Sequence, residues 1–439
     1  MIHIPSCEIK QPRLHADTLG FTFVWNNHFL RGIYPSAVEQ AKSYFDSGFI
    51  DEVVSKQLFP KTWISEFENE QFGMILEHEM ISPVLYATEW NFEMLKDAAL
   101  MVLDIAQIGW KHGYNMVDCH KLNVLFLNNH PQYVDLGSFV PKEKGSTGWN
   151  PYSSFLKSYF YILSVWSDGA STLAKRMMAP GLEFNATDYY LYKSIFYRRF
   201  PALIRWRLLL QEGLCRLATW GDDNITKRGK SLKLAKGLVD RIKPSPSQRL
   251  NAIRKKVLSK SIRMADKVKT SDLPMQENLA EIINNHCADC QSVTFINNPH
   301  LGYYTLLLHE TNVKKIISVQ EQDSASGREY RKSKQQKVGI CSASYRLLNN
   351  TVLIRGKYPE SRLCSDLAII SASTTGKGSF GLHNTLVFVE HCLMYAEKYL
   401  MVIVCQSETE LLQQLSGKYT AEIIPFNSDQ KHVGVIIHL

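Results

Sequence analysis

The stretch from Asp118 to Gly137, DCHKLNVLFLNNHPQYVDLG, decides how the first half of the chain is interpreted. It places Asn123 five residues after Asp118 and then two short apolar runs that are separated by an Asn-Asn pair. An Asn-Asn pair between β-like runs is a turn signal, so the sequence predicts a β-hairpin here. We expect this hairpin to return Asp135 to the loop that contains Asp118 and Asn123.

Two carboxylates and an amide that a loop and a hairpin bring together suit phosphoryl transfer. That reaction needs a carboxylate to orient the attacking hydroxyl and oxygen ligands for Mg²⁺ on the nucleotide phosphates. We therefore predict Asp118 as the catalytic base, and Asn123 and Asp135 as ligands of Mg²⁺ bound with ATP. The order Asp-x-His-x-x-Asn resembles the catalytic loop of aminoglycoside and choline kinases, which adds His120 as a catalytic candidate and implies a sugar, glycan or other small hydroxyl acceptor. The alternative is structural, with two turn-forming residues and a solvent-facing Asp.

Other parts of a kinase are less evident in the sequence. Near the N-terminus there is no glycine-rich phosphate loop and no Val-Ala-x-Lys strand. We predict Arg31 as a phosphate contact in place of the usual lysine, with Glu39 on the next helix as its partner. The alternative for Arg31 is an exposed surface position. Glu77 lies in an apolar strand that leads into a hinge, where backbone groups would bind an adenine.

Length and composition limit how the chain can be organised. A chain of 439 residues has room for two or three domains, and a content of 45% hydrophobic and 21% charged residues excludes wholesale disorder. β-like runs alternate with long helical patterns up to about residue 200. The clearest helix is predicted from Asn91 to about Lys111, where apolar residues recur every three or four positions. Residues 1–200 are therefore predicted to form an α+β kinase-like bilobal domain.

Residues 201–275 are predicted to form a basic helical segment. From Arg198 to Lys269 there are 20 Lys and Arg against five Asp and Glu, a formal charge of +15, which leaves −7 for the rest of the chain. Such an asymmetry favours an anionic partner, either an acidic lipid surface or a phosphorylated or lipid-linked acceptor. Nucleic acid is less favoured because no aromatic residue follows Trp220 in the segment to stack on bases. The alternative is a solvated helical face that packs on the acidic remainder.

Residues 276–439 have a different character. Strand-like runs alternate in part with helical patterns and end in an antiparallel-looking pair, which predicts an α/β Rossmann-like domain with a mostly parallel sheet. The predicted strands are Ser292–Ile296, Lys315–Val319, Val338–Cys341, Leu367–Ile370, Leu400–Val404, Ala421–Pro425 and Val433–Ile437.

A family resemblance covers about residues 28–165. The block from Tyr86 to Leu100, YATEWNFEMLKDAAL, resembles the Tyr-x-x-Glu-Trp-x-Phe-x-Met-Leu-Lys-Asp-Ala-Ala-Leu block of the nodulation-type family of S-adenosylmethionine-dependent methyltransferases. The Asp-x-x-x-x-Asn loop of that family, and its following strand that ends in Asp, are matched at Asp118, Asn123 and Asp135. The resemblance implies a kinase-like region joined to a C-terminal Rossmann methyltransferase-type domain.

The resemblance also implies an S-adenosylmethionine site in residues 276–439. Such a site has a glycine-rich turn after the first strand and an acidic residue after the second. The matching positions are Asn297 and Gly302 in the first turn and Glu321 after the second strand. Only Gly302 remains of the expected Asp-x-Gly-x-x-x-Gly pattern, so both an inactive methyltransferase fold and an active but divergent one stay open.

The nine cysteines are odd in number and scattered, which does not fit a disulfide framework. The N-terminus has no signal-peptide pattern, and no stretch of about 20 apolar residues is present for a membrane span. We expect a cytoplasmic protein. Peripheral attachment at the inner membrane face, through the basic segment, is the alternative.

Three functions follow from these patterns. The first is an ATP- and Mg²⁺-dependent phosphotransferase with a methyltransferase-like domain that has lost activity. The second is an S-adenosylmethionine-dependent methyltransferase, acting on a glycan or glycan phosphate, whose kinase-like region binds substrate. The third is a catalytically inactive scaffold in a larger assembly.

Overall fold

The computed structural model describes most of the chain with gaps. The described residues are 2–10, 17–142, 151–186, 188–189, 192–193, 246–262, 279–296, 307–320, 323–336, 340–344, 364–371, 381–425 and 432–439. They belong to two compact units. The first unit is Met1–Ile81, Leu95–Leu125 and His130–Arg263, and the second is Ser82–Met94, Phe126–Asn129 and Met264–Leu439.

The first unit contains a four-stranded antiparallel sheet in the order β2-β3-β6-β4. Two further strand pairs are small, with β1 parallel to β5 and β7 antiparallel to β10. These strands are β1 Ile2–His3, β2 Gly20–Trp25, β3 His28–Ile33, β4 Thr62–Ile64, β5 Phe67–Glu68, β6 Met74–His78, β7 Tyr114–Met116 and β10 Phe139–Pro141.

Local sequence explains the β2–β3 hairpin. Asn26 and Asn27 form its two-residue turn with φ of 46° and 66°. Asn accepts this left-handed conformation better than other non-glycine residues, and two positive φ values match the twist of the flanking strands. The same device joins β8 (Val124–Leu127) to β9 (His130–Tyr133), where Asn128 and Asn129 have φ of 48° and 64°.

Two α-helices of the first unit lie between β3 and β4 in sequence, and the other helices come after β6. In chain order the helices are α1 Val38–Asp46, α2 Phe49–Ser55, α3 Phe92–Lys111, α4 Tyr152–Phe155, α5 Tyr161–Ser167, α6 Ser171–Arg176 and α7 Pro246–Leu258, with a π-helical turn at Leu156–Phe160. The pattern predicted a helix from Asn91 to about Lys111, and α3 confirms it. Asn91 caps this helix, because its Oδ1 accepts a hydrogen bond of 3.0 Å from the backbone N–H of Met94. Pro246 opens α7, where a proline costs no helical hydrogen bond.

The second unit is built on a seven-stranded sheet. Its elements are α8 Leu279–His286, β11 Ser292–Ile296, β12 Lys315–Gln320, α9 Asp323–Gln336, β13 Ile340–Ser344, β14 Ser365–Ser371, α10 Gly381–Cys392, β15 Ala396–Cys405, α11 Thr409–Lys418, β16 Ala421–Pro425 and β17 His432–His438. The strand order is β13-β12-β11-β14-β15-β17-β16.

The strand directions confirm the predicted Rossmann-like sheet. The five strands from β13 to β15 are parallel, and β17 is antiparallel to both of its neighbours, β15 and β16. The order 3-2-1-4-5 is that of a doubly wound sheet, in which the winding reverses beside the first strand. Here the first strand is β11.

Both faces of this sheet are buried, as expected for parallel strands. Phe295, Leu367 and Ile369 are 0% exposed and pack in one cluster that includes α8. Thr294, which points to the other face by alternation, is also 0% exposed, and its hydroxyl accepts a hydrogen bond of 2.9 Å from Ser365. The centre of the second unit therefore lies around β11 and β14.

At the amino-terminal edge of the sheet, hydrogen bonds and an ion pair of Asp366 connect neighbouring strands. Asp366 Oδ2 accepts hydrogen bonds from the backbone N–H groups of Gln291 and Ser292, at 2.8 and 3.0 Å. Lys398 Nζ lies 3.3 Å from the other oxygen of the same carboxylate. The backbone donors and Lys398 hold the pKa of Asp366 below its ordinary value, although burial acts in the opposite direction. These groups stabilise the strand starts.

Within the described part of the chain, no helix is long and apolar enough to span a membrane.

Ile369 and Ile423 provide a matched test of where the core lies. Ile369 is 0% exposed on β14, whereas Ile423 is 49% exposed on the edge strand β16. We expect Ile369→Ala to lower the free energy of unfolding by about 2–5 kcal/mol, because a cavity adds to the lost burial. Ile423→Ala should cost less than about 1 kcal/mol. Urea unfolding followed by circular dichroism measures both, and equal costs would contradict this core.

Candidate functional site

The loop and hairpin of the first unit gather the predicted side chains. β7 leads into the loop, β8 and β9 form the hairpin, and Asp135 lies two residues after the end of β9. Asn123 Nδ2 donates to Asp118 Oδ2 at 3.0 Å and lies 3.4 Å from Asp135 Oδ2. The two carboxylates and the amide therefore meet at one point, and all three residues are partly exposed. Their roles in catalysis and metal binding remain predictions.

Tyr133 and Ser138 are hydrogen-bonded to this cluster. The Tyr133 hydroxyl lies 3.0 Å from the carbonyl oxygen of Asp118 and 2.8 Å from Ser138 Oγ. Ser138 Oγ in turn donates to Asp135 Oδ2, and the backbone N–H of Gly137 donates to Asp135 Oδ1 at 3.2 Å. Because each of these groups is held by another, the cluster is rigid.

The charge of Asp135 is disfavoured in the folded protein. Burial raises the pKa of its carboxyl, and the nearby carboxylates of Asp17 and Asp118 act in the same direction. The hydrogen bond from Ser138 and the positive charge of Arg31 act in the opposite direction but do not cancel the shift. A cation bound at the cluster would stabilise the ionised carboxylate and so lower this pKa.

His120 has both ring nitrogens engaged. Nδ1 accepts from the backbone N–H of Leu122 at 3.4 Å, and Nε2 is hydrogen-bonded to Glu183. Since Nδ1 accepts, the proton of the neutral ring is on Nε2 and points at Glu183. The ring thus orients the loop between Asp118 and Asn123. Its predicted catalytic role is untested.

Arg31 lies on the central strand β3 and is 6% exposed. Its Nη1 is 2.5 Å from Asp17 Oδ2, and its Nη2 is 3.9 Å from Asp135 Oδ1. The sequence suggested Glu39 as the partner of Arg31 and, as the alternative, an exposed position; both expectations are wrong. The residue is buried, and an aspartate 14 positions earlier in the chain pairs with it.

Glu77 lies on β6, as predicted, and its carboxylate is 2.6 Å from His28 Nδ1. The side chain is therefore engaged with β3, which leaves only the backbone of this strand for the predicted adenine contact.

The donor set of the cluster fits a hard cation in part. Mg²⁺ prefers carboxylate and carbonyl oxygens and keeps several waters. Asp118 and Asp135 supply carboxylates, and rotation of the Asn123 amide by 180° would turn its oxygen toward them. Among the described residues, no group of three or more His, Cys, Asp or Glu is arranged to hold a metal ion. A cation here would therefore need oxygens from a ligand as well.

Asp17, Tyr133, Ser138 and Glu183 complete the site without having been predicted from the sequence as site residues. Ser138 stands next to the Asp-Leu-Gly motif, so its position was a usable signal. Asp17 and Glu183 are far from the motif in sequence, and no local pattern connects them with it.

A second candidate site is the carboxyl edge of the sheet in the second unit. β11 and β14 lie side by side with Ile296 paired to Ile370, and Ser371 is the last residue of β14. In doubly wound sheets ligands bind at this edge, where the winding reverses. Ser371 Oγ is buried and has no hydrogen-bond partner within the described ranges.

The predicted S-adenosylmethionine contacts Asn297, Gly302 and Glu321 lie outside the described residues. In sequence, Asn297 directly follows β11 and Glu321 directly follows β12. Most of the basic stretch from Arg198 to Lys269 also lies outside the described residues.

Sequence comparison gives one weak similarity. No family model matches the chain. The nodulation protein NoeA of Rhizobium meliloti (strain 1021) is 28% identical over 93 residues, which are 21% of this chain and 19% of that protein. The alignment thus spans about a fifth of the relative's own length.

Several solved structures that are similar to part of the chain are methyltransferases. A SAM-dependent methyltransferase from Aquifex aeolicus is 13% identical, covers 34% of this chain and 81% of its own, and has a TM-score of 0.25. TrmK of M. capricolum, bound to S-adenosyl-homocysteine, is 12% identical over 37% of this chain and 68% of its own, with a TM-score of 0.27. The N-terminal domain of human METTL16 with the same ligand is 10% identical over 38% and 70%, with a TM-score of 0.29. At these values the fold assignment rests on the strand order of the sheet, and the kinase-like region remains a prediction.

The raised pKa of Asp135 predicts a pH-dependent stability difference. Since the folded protein holds this proton more tightly than the unfolded chain, the stabilising contribution is complete below the ordinary carboxyl range and is lost as the pH rises through the raised pKa. We expect Asp135→Asn, which keeps an acceptor for Ser138, to melt at a higher temperature than the native chain at pH 7. The difference should shrink toward pH 4.

Asp51→Asn, on the exposed side of α2, is the matched control and should show no such narrowing. Thermal melts across this pH range would contradict the account if Asp135→Asn were the less stable protein at pH 7 and the gap did not change with pH.

Proposed function

We propose that the protein is an S-adenosylmethionine-dependent methyltransferase whose cofactor binds at the carboxyl edge of the seven-stranded sheet. The observation that carries this proposal is the strand order, with β11 between two parallel neighbours and β17 inserted antiparallel between β15 and β16. Rossmann-like methyltransferase domains have this arrangement. The similarity to NoeA and the resemblance of the block from Tyr86 to Leu100 support the same class.

Chemistry at the sheet edge supports the position of the cofactor. The carboxyl ends of β11 and β14 are Ile296 and Ser371; Ile296 is 1% exposed, and the buried Ser371 hydroxyl has no hydrogen-bond partner in the described chain. A nucleoside bound here, with its hydroxyl and amine groups, would give this hydroxyl a partner. The other edge is occupied by the structural ties of Asp366 and Lys398. Asn297, Gly302 and Glu321 stay the proposed contacts because they follow the strands at this edge.

For the acceptor we propose a hydroxyl group of a sugar or glycan, phosphorylated or lipid-linked. The first unit would bind it. The formal charge of +15 from Arg198 to Lys269 supports an anionic acceptor or surface. In the described part of this stretch, α7 has Leu250, Ile253 and Val257 buried, whereas Lys255 and Lys256 are exposed.

A bulky side chain at the carboxyl edge tests the cofactor site. We expect the full chain to bind S-adenosyl-homocysteine, and Ser371→Trp to weaken binding at least about tenfold, or about 1.4 kcal/mol, because the indole fills the crevice beside β11. Isothermal titration measures the affinity.

Glu397→Trp is the matched control, since Glu397 is exposed at the amino end of β15, on the opposite edge. It should bind as the native chain does. Binding that is unaffected by Ser371→Trp would remove the cofactor from this edge, and absence of binding in the native chain would favour an inactive scaffold.

A second candidate function is ATP- and Mg²⁺-dependent phosphoryl transfer by the first unit. The specific observation in its favour is that Asp118, Asn123 and Asp135 meet within hydrogen-bonding distance. In this proposal Asp118 accepts the proton of the acceptor hydroxyl, and Asn123 and Asp135 hold Mg²⁺ on the phosphates.

Nucleotide titration tests this second candidate. We expect Mg-ATP to bind the native chain and binding to be lost in Asp135→Ala, because the metal loses a carboxylate ligand. Asp51→Ala, which removes an exposed carboxylate of the same unit, should leave the affinity unchanged. If Asp135→Ala binds Mg-ATP like the native chain, the cluster does not hold the metal.

A further inference from the structure

Asp17 occupies the space between Arg31 and the turn that follows Asp135. Its Oδ2 is 2.5 Å from Arg31 Nη1. Its Oδ1 lies over the backbone of Gly137, where an added Cβ would be only 2.3 Å from that oxygen. A carboxylate of the chain itself is thus seated against a buried guanidinium and a glycine turn.

The charges around Arg31 are unbalanced. One guanidinium faces the carboxylates of Asp17 and Asp135, and the carboxylate of Asp118 lies within electrostatic range of Asp135. Arg31 is nevertheless not saturated, because its buried Nε has no hydrogen-bond partner among the described residues. A planar guanidinium with a spare donor suits an anion with several oxygens better than it suits one carboxylate oxygen.

Glycine at position 137 determines how closely a ligand can approach the backbone of this turn. Because it lacks a Cβ, an anionic oxygen is able to approach the backbone of this turn closely, as Asp17 does. Any other residue at this position would exclude both Asp17 and an incoming anion.

We propose that Arg31 and the Gly137 turn form a phosphate-binding position, and that Asp17 is a tethered anion that competes with the ligand for it. The inference rests on the second candidate function, nucleotide binding beside Asp118, Asn123 and Asp135, and it names a regulatory contact of that site. A ligand phosphate displaces the Asp17 carboxylate from Arg31 by rotation of that side chain. The affinity for phosphate-bearing ligands therefore depends on how much more favourably a ligand phosphate binds the Arg31 guanidinium than the Asp17 carboxylate does.

Asp17→Asn is the appropriate variant because it removes the charge and keeps the turn. Asp17 Oδ1 accepts a hydrogen bond of 2.8 Å from the backbone N–H of Leu19, and an asparagine oxygen accepts the same bond. Asp17→Ser is a second variant that also caps this turn. Asp51→Asn makes the same charge change at an exposed position of the same unit and is the control.

The experiment titrates Mg-ATP, ADP and inorganic pyrophosphate into the full chain and its variants. We expect Asp17→Asn and Asp17→Ser to bind Mg-ATP about tenfold more tightly than the native chain, which is about 1.4 kcal/mol. Asp51→Asn should not change the affinity. Adding Arg31→Gln to Asp17→Asn should abolish the gain, since the receptor itself is then lost. A gain for pyrophosphate as large as that for Mg-ATP identifies phosphate as the group in competition.

Equal Mg-ATP affinity in the native chain and both Asp17 variants overturns the competition and leaves the nucleotide site standing. Failure of all three ligands to bind any variant, with thermal midpoints that show folded proteins, overturns the nucleotide site and this inference together. A gain that persists after Arg31→Gln also overturns the inference, because the competition would then not take place at the guanidinium.

Discussion

The parallel pairing of β11 with both β12 and β14 is the constraint on which the second unit depends. It fixes the registers Ile296 to Val319 and Ile296 to Ile370, and so brings three strand ends to one edge of the sheet. The winding of the chain reverses at this strand, and in doubly wound sheets ligands bind at the carboxyl ends of the strands at such a point. The two edges then differ in kind, since ion pairs and backbone hydrogen bonds stabilise the amino edge, whereas at the carboxyl edge the buried hydroxyl of Ser371 has no hydrogen-bond partner among the described residues.

In the first unit, the candidate site is stabilised by hydrogen bonds among its own polar side chains. The Asn123 amide joins two carboxylates that would otherwise repel, and Ser138 and Arg31 partly offset the charge of Asp135. In such a network, ionisation of the carboxyl groups is unfavourable unless a cation or a positively charged side chain binds beside them. Asp17 likewise pairs with Arg31, so that the chain supplies its own counter-ion at the position where we propose that a ligand phosphate binds.

Much of the fold was predictable because apolar runs and turn signals act locally. The strand boundaries at Ser292–Ile296 and Ala421–Pro425 agree residue by residue with the pattern, and the predicted hairpin forms around the Asn128-Asn129 turn. β15 begins four residues earlier than predicted, because pairing with β14 extends the strand through the charged residues Glu397 and Lys398. Arg31 was predicted as a site residue but not its partner, since an ion pair between residues 14 positions apart leaves no periodic signal. The meeting of Asp118 with Asp135 was predictable because one hairpin connects them.

The central claim is that S-adenosylmethionine binds at the carboxyl edge of the seven-stranded sheet. Amide hydrogen exchange of the full chain, with and without S-adenosyl-homocysteine, tests it most directly because the two edges report separately. We expect slower exchange at the carboxyl ends of β11 and β14, near Ile296 and Ser371, and unchanged exchange at their amino ends. Protection confined to the first unit, or equal at both edges of the sheet, would contradict it.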